Sequence, residues 1–299
     1  YPRVYEESAS SMLMAGRPAD AKKITQLAAR NGVTSETLLT LNDALAKVVR
    51  GPRWRKRYEH RSQNYHVLSN MDQSLCREAA RVLEESFAAY RVTFGWVPRD
   101  KTRLFKVYLF NTRKGFLGYM GDLEEFMGKP ADKAAGVFSP LLKQLLIWNL
   151  PQREAMFDTI RHEGFHQYLD RLMSSPPRWF NEGLAVYHEN PKTVDGKLVF
   201  AQMHPNYIRL LKHRGLKPLE KFLYYGGEQF SGAGHASYAQ AWLLVHMLQH
   251  TKPEYLALWK RLVKELQSES SYMVLKRNFP PALLPQVQED LKRYLEKLS

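Results

Sequence analysis

Two histidines and a glutamate stand close together in the segment TIRHEGFHQYLDRL, residues 159–172. On an α-helix, residues four apart project from the same face, so His162 and His166 can both direct imidazole nitrogens at one metal ion. Glu163 lies about 100° round the helix from His162, where its carboxylate can reach a water molecule beside that ion. The H-E-x-x-H spacing therefore predicts a divalent metal site with a carboxylate suited to proton transfer.

A third ligand must come from another element, because catalytic zinc takes three protein ligands. The segment PPRWFNEGLAVYHE, residues 176–189, begins with a Pro-Pro pair that ends the first helix and lets the chain turn back. A second helix would then carry Glu182, sixteen residues after His166, towards the histidine pair. The alternative is a surface helix with an ordinary i, i+4 histidine pair and no metal.

These motifs resemble the gluzincin clan of zinc metallopeptidases, in which H-E-x-x-H is followed by a helix that contains N-E-G or N-E. RHEGFHQYL and WFNEGLAVYHE carry the resemblance, which extends over roughly residues 64–250. The gap between the motifs is short, which suits the smaller peptidase-MA-like families better than the zinc aminopeptidases. The resemblance implies one Zn²⁺ per chain held by His162, His166 and Glu182, with Glu163 as the general base.

A later segment resembles the SYEKG helix of the same aminopeptidases, whose tyrosine hydrogen-bonds the developing oxyanion. In SYAQAWLLVHML, residues 237–248, Tyr238 holds the matching position. Its phenol could donate to the charge that appears on a tetrahedral intermediate. The alternative is that Tyr238 is a packing residue at the start of a helix. His235, in the Gly-rich stretch before it, is a second candidate donor on the substrate side.

Three further residues are candidates for orienting the metal ligands. Asp158 lies four residues before His162 and can reach the same helix face, although it is equally well explained as a solvated charge. The clan often places an acidic residue four positions after the glutamate ligand, but Val186 occupies that position here. Glu189, one turn further, could take over this role. The place of Asn181 in N-E-G suggests that its amide braces the site.

An edge strand that lines the cleft and pairs with extended substrate is a further expectation from the resemblance. AAGVFSP, residues 134–140, supplies the candidate residues Gly136, Val137 and Phe138, with the glycine allowing close backbone approach. The aminopeptidases carry a GAMEN signature here, whose glutamate holds the free amine of the substrate. No glutamate occurs in this stretch. An endopeptidase is therefore favoured over an aminopeptidase.

Composition and charge are typical of a folded protein with a basic surface. The chain has 299 residues, is 44% hydrophobic and carries a formal charge of +14, and no apolar run is long enough to span a bilayer. The run RGPRWRKRYEHR, residues 50–61, could stack bases and neutralise phosphates, but no nucleic-acid motif accompanies it, so a solvated linker is expected. Cys76 is the single cysteine, so no intrachain disulfide can form.

The pattern of elements predicts an α+β fold. Residues 1–18 show no strong periodicity and are expected to form an arm, and residues 18–49 are expected to form a helical hairpin. Part of that hairpin resembles the latter half of a LysM module, although the opening strand is missing. Strands are expected at 64–70 and 103–111, and two more, AAGVFSP and KQLLIWNL, are expected to be joined around Ser139–Pro140. Almost everything from residue 151 onward is expected to be helical. We predict an N-terminal segment, 1–62, and a gluzincin-like domain, 63–299, which is strand-rich over 63–150 and helical over 151–299.

The expected function is peptide-bond hydrolysis by water that zinc activates. Two alternatives stay open at this point: a zinc-binding scaffold without catalysis, and a polyanion- or cell-envelope-binding protein that relies on its positive charge. The expected partners are a peptide or protein substrate, with an anionic envelope surface as a further candidate and no specific nucleic acid. The first residue is Tyr1 rather than Met, which is typical of a processed chain, and export to the periplasm, the envelope or the outside of the cell is expected.

Overall fold

The computed structural model describes residues 1–94, 104–124, 134–195 and 197–298. Within these ranges the fold is α+β, as predicted, and no described helix is long and apolar enough to cross a membrane. The helices are α1 (Pro2–Met14), α2 (Pro18–Arg30), α3 (Glu36–Arg50), α4 (Gln73–Phe94), α5 (Arg113–Asp122), α6 (Arg153–Leu172), α7 (Arg178–Glu189), α8 (Pro205–Arg214), α9 (Leu219–Phe222), α10 (Gly227–Gly232), α11 (His235–His250), α12 (Pro253–Glu265), α13 (Ser271–Asn278) and α14 (Leu284–Lys297). The strands are β1 (Tyr58–Arg61), β2 (Tyr65–Ser69), β3 (Phe105–Phe110), β4 (Gly136–Ser139), β5 (Gln144–Trp148), β6 (Lys192–Val194) and β7 (Lys197–Val199).

Five strands form a mixed sheet in the order β1-β2-β3-β5-β4. β2, β3 and β5 run parallel, while β1 and β4 pair antiparallel at the two edges. Parallel neighbours need a long crossover, and α4 lies between β2 and β3 in the chain. The prediction of a small mixed sheet with an edge strand at residues 136–139 is confirmed. β6 and β7 form a separate hairpin.

Several predicted elements are confirmed with small shifts in their ends. The helical hairpin is α2 and α3, and Ser35 caps α3 by accepting a hydrogen bond from the N–H of Leu38 at 3.1 Å. The two helices that carry the metal-binding motifs are α6 and α7. Cys76 is buried and free, as expected for a small core side chain.

Two expectations are wrong. Residues 2–14 form α1 rather than an arm; Ala9 and Leu13 are its buried residues, so the apolar stripe is too thin to give a strong periodicity. Part of the basic run is β1 rather than a linker, because pairing with β2 orders a segment rich in charge. Two further elements were not predicted: α5 in the connection after β3, and the β6–β7 hairpin within the mainly helical half.

The chain divides into two compact units, Tyr1–Glu84 with Asp100–Glu163, and Glu85–Arg99 with Gly164–Ser299. In the first unit the core forms where α1, α3 and α5 cover the sheet, with Val48, Tyr108, Phe116 and Leu146 in one buried cluster. Apolar residues on one face of each helix drive this packing. The predicted division at residues 62 and 63 stays a prediction.

In the second unit the core centres on α11. Residues 239–248 of this helix are all buried, so it is covered on every side. Trp179 and Phe180 of α7 are also fully buried, and the Phe180 ring stacks on Trp259 of α12 with centroids 5.2 Å apart. A rigid aromatic core therefore holds α7, the helix that carries Glu182.

Candidate metal centre

The side chains of His162, His166 and Glu182 come together in the structure. One ligand atom from each lies within 4.8 Å of the other two, and Glu182 is 3% exposed while both histidines are half-buried. Within the described ranges this is the group of histidine, cysteine and acidic side chains that could hold a metal ion. The three residues are therefore close enough to bind one ion, as the H-E-x-x-H and N-E-G motifs predict.

The distance between two of these ligand atoms fits a metal ion. His166 Nε2 lies 3.4 Å from Glu182 Oε2. Ligands that bind zinc tetrahedrally at about 2.0–2.1 Å lie about 3.4 Å from each other, so this pair already has the required spacing. The donor set of two imidazoles and one carboxylate is also one that zinc uses in catalytic sites. The residues present therefore fit the metal that the sequence predicts.

The other ring nitrogen of His166, Nδ1, is held by Asn181. Asn181 Oδ1 lies 2.8 Å from His166 Nδ1, so it accepts the hydrogen bond that this nitrogen donates. The proton on Nδ1 leaves the lone pair on Nε2, the nitrogen that faces Glu182. A metal-binding imidazole needs this tautomer.

Glu182 divides its two oxygens between two partners. Oε1 accepts from the guanidinium of Arg178 at 3.1 Å, one helical turn earlier on α7, and Oε2 faces His166. Arg178 is the residue directly after the Pro-Pro pair. It fixes the carboxylate in the plane that presents a single oxygen to the site.

Gly183 explains the glycine of the N-E-G motif. A Cβ atom at this position would lie 2.5 Å from the carbonyl oxygen of Ala241 and 2.9 Å from Val245 Cγ2. α7 therefore packs against α11 with almost direct backbone contact. This packing fixes the position of Glu182, the neighbouring residue.

Glu163 is bound to the predicted edge strand. The backbone N–H of Phe138 donates to Glu163 Oε2 at 2.8 Å. The N–H of Trp148 reaches the carbonyl of Ala135 across the β4–β5 pair, so the hydrogen-bonded positions on β4 alternate from residue 135. Gly136 and Phe138 consequently direct their backbone groups away from β5, towards the open edge of the sheet.

The glycine at position 136 allows close packing. A Cβ atom there would lie 2.9 Å from both Ile147 Cγ1 of β5 and Thr159 Cγ2 of α6. The absence of a side chain thus allows β4 to pack against its own sheet and helix, and the predicted close approach of a substrate at Gly136 stays a prediction. Val137, the middle predicted residue, is partly buried and packs against the core of the first unit.

Tyr238 lies in the first turn of α11, where its ring contacts Phe230 edge-on with centroids 5.1 Å apart. Burial raises the pKa of Tyr207 in α8, and the charges of Glu189, Tyr238 and Glu182 raise it further. His235, the other predicted donor, is an exposed residue at the start of α11.

The residues predicted to orient the ligands have different partners. Asp158 forms an ion pair with Arg161 at 3.2 Å. Burial lowers the pKa of His204. The charge of Glu189 and a hydrogen bond from the ring to the Val186 backbone partly oppose this lowering. The charge of Glu189, the last residue of α7, thus raises the pKa of both His204 and Tyr207. The roles of Asp158 and Glu189 in orienting the histidines stay predictions.

One family model matches part of the chain. Residues 156–267 are similar to a family described as "Protein of unknown function (DUF1570)". A search of the curated proteins found no match. The matched segment contains both metal-binding motifs and Tyr238, while β4 lies before it.

Arg178 is a site residue that sequence analysis missed, and it contacts the carboxylate of Glu182. Arg178 stands four residues before Glu182, and this i, i+4 spacing is the signal that could have found it.

Proposed function

We propose that this chain is a zinc-dependent metallopeptidase that cleaves internal peptide bonds. The observation that carries the proposal is the 3.4 Å separation of His166 Nε2 and Glu182 Oε2 within a cluster that also contains His162. When bound, zinc would supply Lewis acidity, which polarises the scissile carbonyl and lowers the pKa of water towards neutrality. His162, His166 and Glu182 would hold it.

Glu163 is the proposed general base. Its carboxylate would accept a proton from the attacking water and deliver it to the leaving amine. Because the N–H of Phe138 already holds Oε2 at 2.8 Å, the carboxylate is fixed in orientation before substrate arrives. Oε1 is then the oxygen that we assign to proton transfer.

β4 is the proposed binding strand for substrate. It is an edge strand, and both backbone groups of Gly136 and the carbonyl of Phe138 point away from β5, which favours pairing with an extended peptide. The N–H of Phe138 is held by Glu163. An extended peptide bound along a strand edge need not end at the cleavage point, which favours an endopeptidase over an aminopeptidase. The lack of a glutamate in AAGVFSP supports the same choice.

Tyr238 is the proposed donor to the oxyanion, and His235 is the second candidate. Support for Tyr238 comes from its position in the first turn of α11, the helix that packs against α7 at Gly183. A phenol that donates a hydrogen bond in the transition state stabilises charge that the ground state lacks.

A digest of a peptide library by the purified chain tests the proposed reaction. We expect internal cleavages that a chelator abolishes and that added zinc restores. Trimming from the amino end alone would contradict the endopeptidase assignment. A zinc-loaded chain that leaves the whole library intact would contradict the peptidase assignment and favour a zinc-binding scaffold.

A further inference from the structure

Three basic side chains lie in one row across the five-stranded sheet. Antiparallel pairing places Arg61 of β1 opposite His66 of β2, and parallel pairing places His66 beside Lys106 of β3. Neighbouring strands are about 4.8 Å apart, and paired residues project from the same face. Two permanent positive charges and an imidazole therefore share a small area of the sheet.

A cavity of about 230 Å³ opens over this row. Arg50, at the end of α3, and Arg57, just before β1, line it together with Arg61 and Lys106. Glu59 is the carboxylate among the lining residues. Four cationic side chains thus face a single carboxylate in this cavity.

The one carboxylate is already engaged with the imidazole of the row. Glu59 Oε2 lies 3.1 Å from His66 Nε2, and the His66 side chain is 14% exposed. Burial is the main cause that lowers the pKa of His66, and the charges of Arg61 and Lys106 lower it further. Since the lowered pKa favours a neutral His66, Glu59 offsets one positive charge, and the charges of Arg57 and Arg61 help to lower its own pKa. The three arginines and the lysine therefore leave an excess of positive charge in the cavity.

Lys106 contributes a partly buried charge to the cavity. Its Nζ lies 5.2 Å from the centroid of the Tyr108 ring, and burial lowers its pKa, with Arg57 and Arg61 adding to the effect. Arg61 and Lys106 lie on the same face of the sheet, one on each side of His66, so their like charges repel each other. An anion in the cavity would remove this repulsion.

We propose that this cavity binds a phosphoryl group, either as free phosphate or as the terminal phosphate of a larger molecule. Arginine forks match the oxygens of a phosphate, and a dianion balances several cations better than a carboxylate does. The volume lies below the range of about 300–1,000 Å³ that drug-sized ligands occupy, so the cavity fits a charged group rather than a whole nucleotide. This site is independent of the proposed peptidase activity.

Calorimetric titration of the full chain with inorganic phosphate, in EDTA and at constant ionic strength, tests the proposal. We expect phosphate to bind and chloride to have no effect. Arg61→Gln should weaken phosphate binding by roughly tenfold or more, the loss expected for one charge-assisted hydrogen bond. Arg55→Gln is the matched control, because Arg55 belongs to the same basic run but lies outside the cavity lining among the described residues.

Thermal stability supplies a second readout that separates binding from misfolding. Lys106→Met removes a like charge, so without phosphate its Tm should equal or exceed that of the unmodified chain. Phosphate should raise the Tm of the unmodified chain but not that of Lys106→Met. Equal phosphate binding by the unmodified chain and Arg61→Gln would overturn the proposal.

The source of the phosphate is distinguished by two phosphomonoesters. Arg61-dependent binding of glycerol 3-phosphate would support the proposal and identify a soluble source. Arg61-dependent binding of vesicles that contain phosphatidic acid would support it and identify a membrane source. Arg61-dependent binding of a single-stranded oligonucleotide, with no effect of phosphate or either phosphomonoester, would overturn the proposal and assign the surface to a polyanion.

Discussion

The backbone N–H of Phe138 donates a hydrogen bond to Oε2 of Glu163, with nitrogen and oxygen 2.8 Å apart. The edge strand and the H-E-x-x-H helix are therefore joined through the carboxylate that we assign as the base. A peptide that pairs with β4 would be aligned by the same strand that orients this carboxylate. Substrate binding and proton transfer would then share one structural element.

Glu163→Gln should abolish most turnover and leave metal binding intact. The glutamine oxygen can still accept from the N–H of Phe138, but an amide cannot take a proton from water at neutral pH. We expect kcat to fall by about 10²–10⁴ while zinc content stays unchanged. Glu154→Gln, at an exposed position of the same helix, is the control that should keep full activity. Undiminished kcat in Glu163→Gln would show that another group is the base.

Asn181→Leu should weaken metal binding, because it removes the acceptor that holds His166 Nδ1 at 2.8 Å. Losing a partner of a ligand histidine typically lowers metal affinity about 10–100-fold. Asn181→Asp keeps an acceptor of the same size and should retain affinity. Competition for zinc with a chelating dye measures both variants. Equal weakening in the two variants would argue against this hydrogen bond as the cause.

Gly183→Ala should destabilise the fold, since its Cβ would lie 2.5 Å from the carbonyl oxygen of Ala241. Overpacking of this kind costs about 1–3 kcal/mol in the free energy of unfolding. Gly118→Ala in α5 is the control, because no atom of the described residues lies within 4 Å of its added Cβ. That change should be neutral or stabilising by up to about 1 kcal/mol. Urea unfolding compares the two, and an unaffected Gly183→Ala would contradict the close packing.

Buried histidines should make the protein less stable in mild acid. Burial lowers the pKa of both His188 and His246 to about 4, below the usual value of 6.5. The unfolded chain therefore binds more protons between these values, so stability present above pH 6.5 is lost as the pH falls towards 4.

Urea unfolding in EDTA between about pH 7 and pH 4.5 measures this loss. His188→Phe keeps an aromatic ring against Phe165, whose centroid lies 4.9 Å from that of His188. In this variant the free energy of unfolding should change less steeply with pH, by up to about 1.4 kcal/mol per pH unit. An unchanged slope would mean that His188 does not titrate on unfolding.

The ligand set follows from sequence because its geometry is local. The spacing of His162 and His166 needs one helix turn, and the Pro-Pro pair before Arg178 marks where the second helix begins. Glu182 then reaches the histidine pair if the chain folds back once in the antiparallel direction. By contrast, the position of Tyr207 depends on the packing of α8 against α11, two helices that α9 and α10 separate in the chain.

The missed elements share a different cause. β1 contains mostly polar and charged residues, so its pattern does not indicate a buried strand, and pairing with β2 orders it. α1 buries Ala9 and Leu13 but leaves Val4 and Met14 exposed, so its apolar residues do not mark a single buried face. Tertiary contacts determine the secondary structure of both segments, and the order of residues within each segment does not reveal those contacts.

Zinc K-edge X-ray absorption on the zinc-incubated and gel-filtered chain tests the central claim most directly. We predict about one zinc per chain with nitrogen and oxygen ligands at about 2.0–2.1 Å. Glu182→Ala and His162→Ala should each lose most of this zinc while keeping a folded circular dichroism spectrum. Two results would contradict a metal centre built from His162, His166 and Glu182. One is an unmodified chain that retains no zinc, and the other is a Glu182→Ala variant with an unchanged X-ray absorption spectrum.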